Sequence, residues 1–267
     1  MPFATSPDGT RLYFEEQGSG DALVLVNGQA MDHTGWDTVR GDFTDRYRVV
    51  VFDHRGTGAS DKPAEPPYSV QGFAEDVVAI LDHLGVERAH AYGISMGGRI
   101  CQWLGIQHGR RVGALILGCT TPGNKHGVRR PPEVDARLAN RPSDPAEALA
   151  FQLESMVSPE WAAAHPEYVS RVRDRVEHPI PAYAQRLHYL ASEGHDSWDL
   201  LPSIKAPTLV IHGSDDVVNP TANAQLLADR IPGAELHLVA SARHGFFVEF
   251  HEEAARVINA FLARHPF

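Results

Sequence analysis

Cysteine is scarce: Cys101 and Cys119 are the only two in 267 residues. Two are too few for a disulfide framework, and they lack the spacing of a zinc site. Buried filler is the expected role of both, with a thiol nucleophile as the alternative. No run approaches the roughly eighteen uninterrupted apolar residues that cross a bilayer, so no membrane association is expected. Positive charge is also short: 24 Lys and Arg face 34 Asp and Glu, a formal net charge of −10. With no basic excess to neutralise phosphates, nucleic acid is not an expected partner. The opening MPFATSPDGTRLYFEEQG has neither a basic start nor an apolar run, so no signal peptide is visible. A reduced, cytoplasmic protein is the expectation. Internal repeats and low-complexity tracts are absent as well.

What is present is ordinary for a globular chain, 43% hydrophobic and 22% charged. The length suits one large domain with room for an inserted subdomain. Around "PDG" the pattern alternates, with Leu12 and Phe14 on one side and Arg11 and Tyr13 on the other, which predicts a hairpin. The pattern then changes. "ALVLVNG", "YRVVVFD", "AHAYGIS", "GALILGC" and "TLVIHGS" are nearly continuous apolar runs, the signature of parallel strands covered on both faces. Between two of them, Phe73, Val77, Ile80, Leu81 and Leu84 repeat at helical spacing. "NPTANAQLLADRI", with Pro220 as a first helical residue, and "EEAARVINAFLARH" also read as helices. Alternating strands and helices predict an α/β fold with a mainly parallel sheet.

One region interrupts the alternation. From about 122 to 198 there is no buried-strand run, and three segments read as helices: "SDPAEALAFQLESM", "SPEWAAAHPEYVSRVRDRV" and "PAYAQRLHYLASEG". The expected organisation is therefore a core in two pieces, 1–121 and 199–267, with a helical cap at 122–198.

The chemistry centres on "AYGISMGGRI". Ser95 sits between Gly93 and Gly97, where a strand gives way to a helix, the setting of a nucleophile elbow. Glycines two residues either side clear space for a tight turn that lifts the central hydroxyl at the carboxyl end of the sheet. "GISMGG" is not a dinucleotide fingerprint, and no Lys follows as in a phosphate-binding loop. A serine needs a base, and the base needs an acid to orient it. Downstream, Asp215 and Asp216 follow the strand "TLVIHGS", and His244 follows the strand "AELHLV". Serine, acid and histidine thus stand in the order of an α/β hydrolase, each just past a strand end.

With these features the sequence resembles the α/β-hydrolase fold superfamily, in the branch of small esterases, enol-lactonases and cofactor-free haloperoxidase-like enzymes. The match runs from about Thr10 to Pro122 and from about Lys205 onward. "FDHRGTGASD" resembles that branch's D-x-R-G-x-G-x-S loop, a structural brace, and "VNGQAMDHTGW" resembles its H-G loop after the third strand. Asn27 departs from the usual His there. The resemblance implies Ser95 as nucleophile, His244 as base and, by the G-x-x-D pattern counted from Gly213, Asp216 as the acid. It implies an oxyanion hole from the backbone N–H groups of Gln29 and Met96. A Ser at the elbow separates the chain from dehalogenases and epoxide hydrolases of this fold, which use Asp.

Most other histidines need no catalytic role: His212 reads as a loop brace, and His33 as a solvated loop residue, with substrate contact as the alternative. His54 beside Asp53 lacks the runs of a metal hydrolase, so no metal and no cofactor are implied. Gly28, Ala30, Trp36, Phe151, Met156, Trp161, Val218 and Phe246 are the candidates for a substrate pocket, with Phe247 beside them. The expected activity is hydrolysis of a small carboxylic ester or lactone through an acyl-enzyme. The alternatives are a carbon–carbon bond hydrolase, a perhydrolase-like enzyme with the same triad, or a ligand-binding receptor on this fold. Nothing in the pattern fixes an oligomeric state.

Overall fold

In a computed structural model, residues 2–65, 68–140 and 142–267 are described. Eight strands form one sheet: β1 (Phe3–Thr5), β2 (Arg11–Gln17), β3 (Asp21–Val26), β4 (Tyr47–Phe52), β5 (Ala89–Ile94), β6 (Val112–Gly118), β7 (Thr208–Gly213) and β8 (Glu235–Val239). The order across it is β1-β2-β4-β3-β5-β6-β7-β8. The first hairpin and the β2–β4 pair are antiparallel, and every later pair is parallel. The apolar runs earn this arrangement because successive side chains in a strand face opposite ways and both faces are covered. Val24, Val26, Val50 and Phe52 enter the core on one face, and Leu23, Leu25, Val49 and Val51 that on the other.

The helices of the core are α1 (Gly41–Thr44), α2 (Val70–His83) and α3 (Met96–Gln107). Between β6 and β7 come α4 (Pro132–Ala139), α5 (Pro145–Met156), α6 (Pro159–Ala164), α7 (Pro166–Glu177) and α8 (Ala182–Glu193). After β7 follow α9 (Ala222–Arg230), α10 (Phe246–Glu249) and α11 (His251–Ala263). The predicted face of α2 is the buried one, with Phe73, Val77, Ile80 and Leu81 buried and Leu84 partly so. Ser69 caps α2 by accepting from the Gly72 N–H at 3.0 Å. Among the described residues no helix is long and apolar enough to cross a membrane.

Two helix expectations need correction, and one helix was not expected. "SPEWAAAHPEYVSRVRDRV" is two helices, α6 and α7, because Pro166 has no N–H to continue the first and instead opens the second. The helix after β7 begins at Ala222 rather than Pro220, whose carbonyl accepts from the Asn223 N–H in the preceding turn. Helix α4 has no buried residue and so lacks the apolar stripe that periodicity reading requires.

Strand order reverses between β3 and β5, where the chain first crosses to β4 and then returns to the far side of β3. Open α/β sheets leave a crevice at such a switch point, outside the strands' carboxyl ends. The loop after β4 is fixed beside that crevice by a buried ion network. Arg55 Nε and Nη2 donate to the two Asp76 oxygens of α2 at 2.7 and 2.6 Å, and Nη1 donates to Asp8 at 2.6 Å. Ser6 Oγ adds a hydrogen bond to Asp76 at 2.6 Å. Removing one partner strands a buried charge, so Asp76→Ala should lower the unfolding free energy by about 3–5 kcal/mol in a denaturant titration. A loss below about 1 kcal/mol would show that the network does not hold the loop.

Candidate active site

Ser95 leaves β5 with φ 55° and ψ −117°, a conformation that L-residues rarely adopt. The turn is so tight that a Cβ on Gly93 would run into the Gly97 carbonyl, and one on Gly97 into the Val26 carbonyl at the end of β3. Hydrogen bonds hold the strain. The Ser95 N–H donates to the Gly118 carbonyl at 2.9 Å, and Thr120 Oγ1 donates to the Ser95 carbonyl at 2.7 Å. Met96 buries its side chain in the core, and its amide belongs to the first turn of α3, where intrahelical acceptors are lacking.

The loop after β3 faces this turn: a Cβ on Gly28 would stand 3.4 Å from that of Ser95. Asn27 braces that loop, its Nδ2 donating to the Asp32 carbonyl at 2.5 Å. His33 is not a free loop side chain. Its ring Nδ1 and its backbone N–H both bond Asp53 Oδ1 at 2.7 Å, and the carboxylate raises its pKa against the opposing effect of burial. Asp32, His33 and Asp53 lie close enough to suggest a metal cluster. The Asp53 oxygens, however, already accept from His33 and, at 2.7 Å, from the Ala59 N–H. His54 turns away, its Nε2 bonding the Asn27 carbonyl at 3.1 Å.

Asp216 and His244 meet across two loops, with His244 Nδ1 2.8 Å from Asp216 Oδ2. The other carboxylate oxygen accepts from the Val218 and Asn219 N–H groups at 2.8 and 2.9 Å. His212 approaches Oδ2 at 3.1 Å and donates to the Asn219 carbonyl at 2.7 Å, tying the loop as a brace would. Burial works to raise the Asp216 pKa, but the His244 and His212 imidazoles and their hydrogen bonds outweigh it and hold the group well below the usual carboxylate range. Asp215 is exposed and bonds Ser214 instead. A histidine that gives its Nδ1–H to a carboxylate keeps the Nε2 lone pair for a proton.

Ser95 and His244 line one cavity, together with Gly28, Gln29, Ala30, Phe151, Met156, Val218 and Phe247. Five of the eight pocket candidates are therefore there. Trp36 is not: it is fully buried against the rings of Tyr92 and Phe247, 5.2 and 5.6 Å away. Phe246 packs into the core, and its neighbour Phe247 takes the cavity position. Trp161 stacks on His165 at 3.9 Å and borders a separate surface depression. Cys101 and Cys119 are both buried, and burial raises both thiol pKa values, so neither is a ready thiolate.

Two residues that sequence reasoning missed shape the site. His188 of α8 accepts from the Ala30 N–H at 3.3 Å and donates to the Arg55 carbonyl at 2.8 Å. Burial, aided by His54, lowers its pKa to about 3 and keeps it neutral. No motif marks it. Arg99 is buried against the cavity, and its signal was visible: a lone cation in the apolar run GGRICQWLGI.

A model of the α/β-hydrolase fold family matches residues 21–250. The chain belongs to that family. A 3-oxoadipate enol-lactonase of Acinetobacter baylyi is 30% identical over 249 residues, 93% of this chain and 91% of its own. A 2-hydroxy-6-oxononadienedioate/2-hydroxy-6-oxononatrienedioate hydrolase of Burkholderia vietnamiensis is 31% identical over 272 residues, 96% of this chain and 93% of its own. The solved enol-lactonase of Burkholderia xenovorans superposes with a TM-score of 0.86 at 26% identity, over 98% of this chain and all of that one. The chain is thus an α/β hydrolase of the esterase and enol-lactonase branch.

In this hydrolase Asp216 has a lowered folded-state pKa, so its stabilisation is present above the unfolded value of about 4 and is lost as pH falls toward the folded one. The melting-temperature gap between wild type and Asp216→Asn should therefore narrow from about pH 5 to about pH 3. A gap that widens on acidification would contradict the ionised, hydrogen-bonded carboxylate.

Proposed function

We propose that this α/β hydrolase cleaves a small carboxylic ester or lactone through Ser95, His244 and Asp216, by way of an acyl-enzyme. The observation that carries the reading is the 2.8 Å contact of His244 Nδ1 with buried Asp216, on a histidine that shares its cavity with a serine held on a strained turn. The enol-lactonases among the relatives support an ester-type carbonyl as the group attacked.

His244 Nε2 takes the Ser95 proton as Oγ bonds to the substrate carbonyl carbon. The carbonyl π electrons move onto oxygen, and the amides of Met96 and Gln29 receive that oxyanion. Asp216 fixes the imidazole tautomer and stabilises the imidazolium, remaining ionised itself. Collapse of the tetrahedral species breaks the bond to the alkoxide, which takes the proton from His244. Water, deprotonated by the same histidine, then attacks the acyl-enzyme and frees Ser95. The segment 122–198 serves as a cap over the reacting carbonyl: Phe151 and Met156 of α5 furnish apolar wall, and the Ser155 carbonyl receives the His244 N–H at 3.3 Å.

Stopped-flow hydrolysis of p-nitrophenyl butyrate should show a burst followed by steady turnover. Ser95→Ala and His244→Ala should each lower kcat by about three to six orders of magnitude with the fold retained by circular dichroism. Turnover within about tenfold of wild type in Ser95→Ala would exclude the serine as nucleophile.

A further inference from the structure

His188 stands on α8 of the helical insert, yet both of its ring nitrogens engage backbone groups of the core. Nδ1 accepts from the Ala30 N–H at 3.3 Å, and Nε2 donates to the Arg55 carbonyl at 2.8 Å. An amide can only donate and a carbonyl can only accept, so these neighbours fix one neutral tautomer. The ring is fully buried among those of Phe73, Tyr68 and His54, whose centroids lie 5.0, 5.6 and 6.1 Å away. An apolar ring would fill that socket as well. Two polar atoms carried into it against the cost of desolvation call for a role beyond seating the helix.

Nδ1 holds a backbone conformation that the loop does not favour by itself. The Met31 N–H donates to the Gly28 carbonyl at 3.4 Å, closing a turn over residues 28–31. Ala30, the third residue of that turn, has φ 60°. A positive φ there marks a type II turn, which takes Gly by preference. The type I alternative suits Ala better, and it turns over the peptide between Gln29 and Ala30. The Gln29 carbonyl would then point where the Ala30 N–H now points, setting its lone pairs against that of Nδ1. At the other end of the loop, His54 Nε2 donates to the Asn27 carbonyl at 3.1 Å. The peptide that carries the Gln29 N–H therefore lies between one neighbour held by His54 and another held by His188.

We propose that His188 is a positioning residue: by selecting the orientation of the peptide between Gln29 and Ala30, it sets the loop whose Gln29 amide receives the oxyanion. That loop is in its working form only while α8 is seated on the core, so the insert completes the oxyanion hole as well as covering it. Receipt of the oxyanion rests on the hydrolase reading above; the hold on the loop does not, and the two are tested apart.

His188→Phe keeps a ring in the socket and removes the acceptor. Amide hydrogen exchange read by mass spectrometry should quicken at least about tenfold over residues 27–33 in that variant. For p-nitrophenyl butyrate, kcat should fall about ten- to a hundredfold with KM within about twofold, since only the transition state carries the oxyanion. Ala30→Gly admits a positive φ unaided, so the His188→Phe/Ala30→Gly double variant should recover at least about half of that loss on a logarithmic scale. A helix anchor alone would produce neither the loss confined to kcat nor the recovery. Unchanged exchange over 27–33 with kcat within about twofold, or a loss that Ala30→Gly leaves untouched, overturns the assignment. Where His188→Phe does not fold, NMR exchange on the wild type decides: an Ala30 amide slowed at least about tenfold sustains the contact, and one exchanging like an open chain overturns it. Faster loop exchange in His188→Phe, with no ester turnover by the wild type, would leave the hold on the loop standing and overturn the hydrolytic reading instead.

Discussion

The close approach of the β5–α3 turn to the end of β3 is the constraint on which the site depends. Only a residue without Cβ fits where Gly97 meets the Val26 and Asn27 carbonyls, or where Gly93 meets Gly97. That contact accompanies the positive φ of Ser95, and the loop that begins at Gly28 lies against the same turn. A few tenths of an ångström more between strand and helix would relax the serine. The parallel sheet supplies the rigidity, since β5 and β3 are buried on both faces and paired along their length. Strain at one residue persists only where its surroundings over-determine it.

The second requirement is electrostatic. Asp216 is buried, and its two oxygens meet two amides and the His244 imidazole, with His212 3.1 Å away. The helical insert joins the same network from the other side. Ser155 and Met156 receive the His244 and Gly245 amides, while His188 holds the Ala30 amide next to Gln29. A segment that looks like an addition to the sheet therefore touches both loops of the proposed site. Sequence changes in α5 or α8 should reach the site through these contacts without touching the serine.

The centre of the sheet was legible because β3 to β7 are apolar on both faces, and the proposed triad because each member follows a strand with its own motif. Contacts between side chains were less so. Trp36 and Phe246 are as apolar as Phe247, yet of the three only Phe247 lines the cavity; for Phe246, one residue's rotation about α10 exchanges pocket for core. Pro166 carried its signal plainly as a helix starter, but the run of helix formers on either side read as continuous. His188 acts through two hydrogen bonds to backbone groups 158 and 133 residues away, which no local pattern encodes. Arg99 was readable as an anomaly, a charge in an apolar helix, and its place beside the cavity emerged only with the fold.

The central claim is that Ser95 is the activated nucleophile. Peptide mapping by mass spectrometry after brief exposure to a fluorophosphonate tests it most directly. The account predicts a single adduct on the peptide carrying Ser95, lost in Ser95→Ala and slowed at least about a hundredfold in His244→Ala. An adduct on another residue, or none while esterase turnover persists, would contradict it.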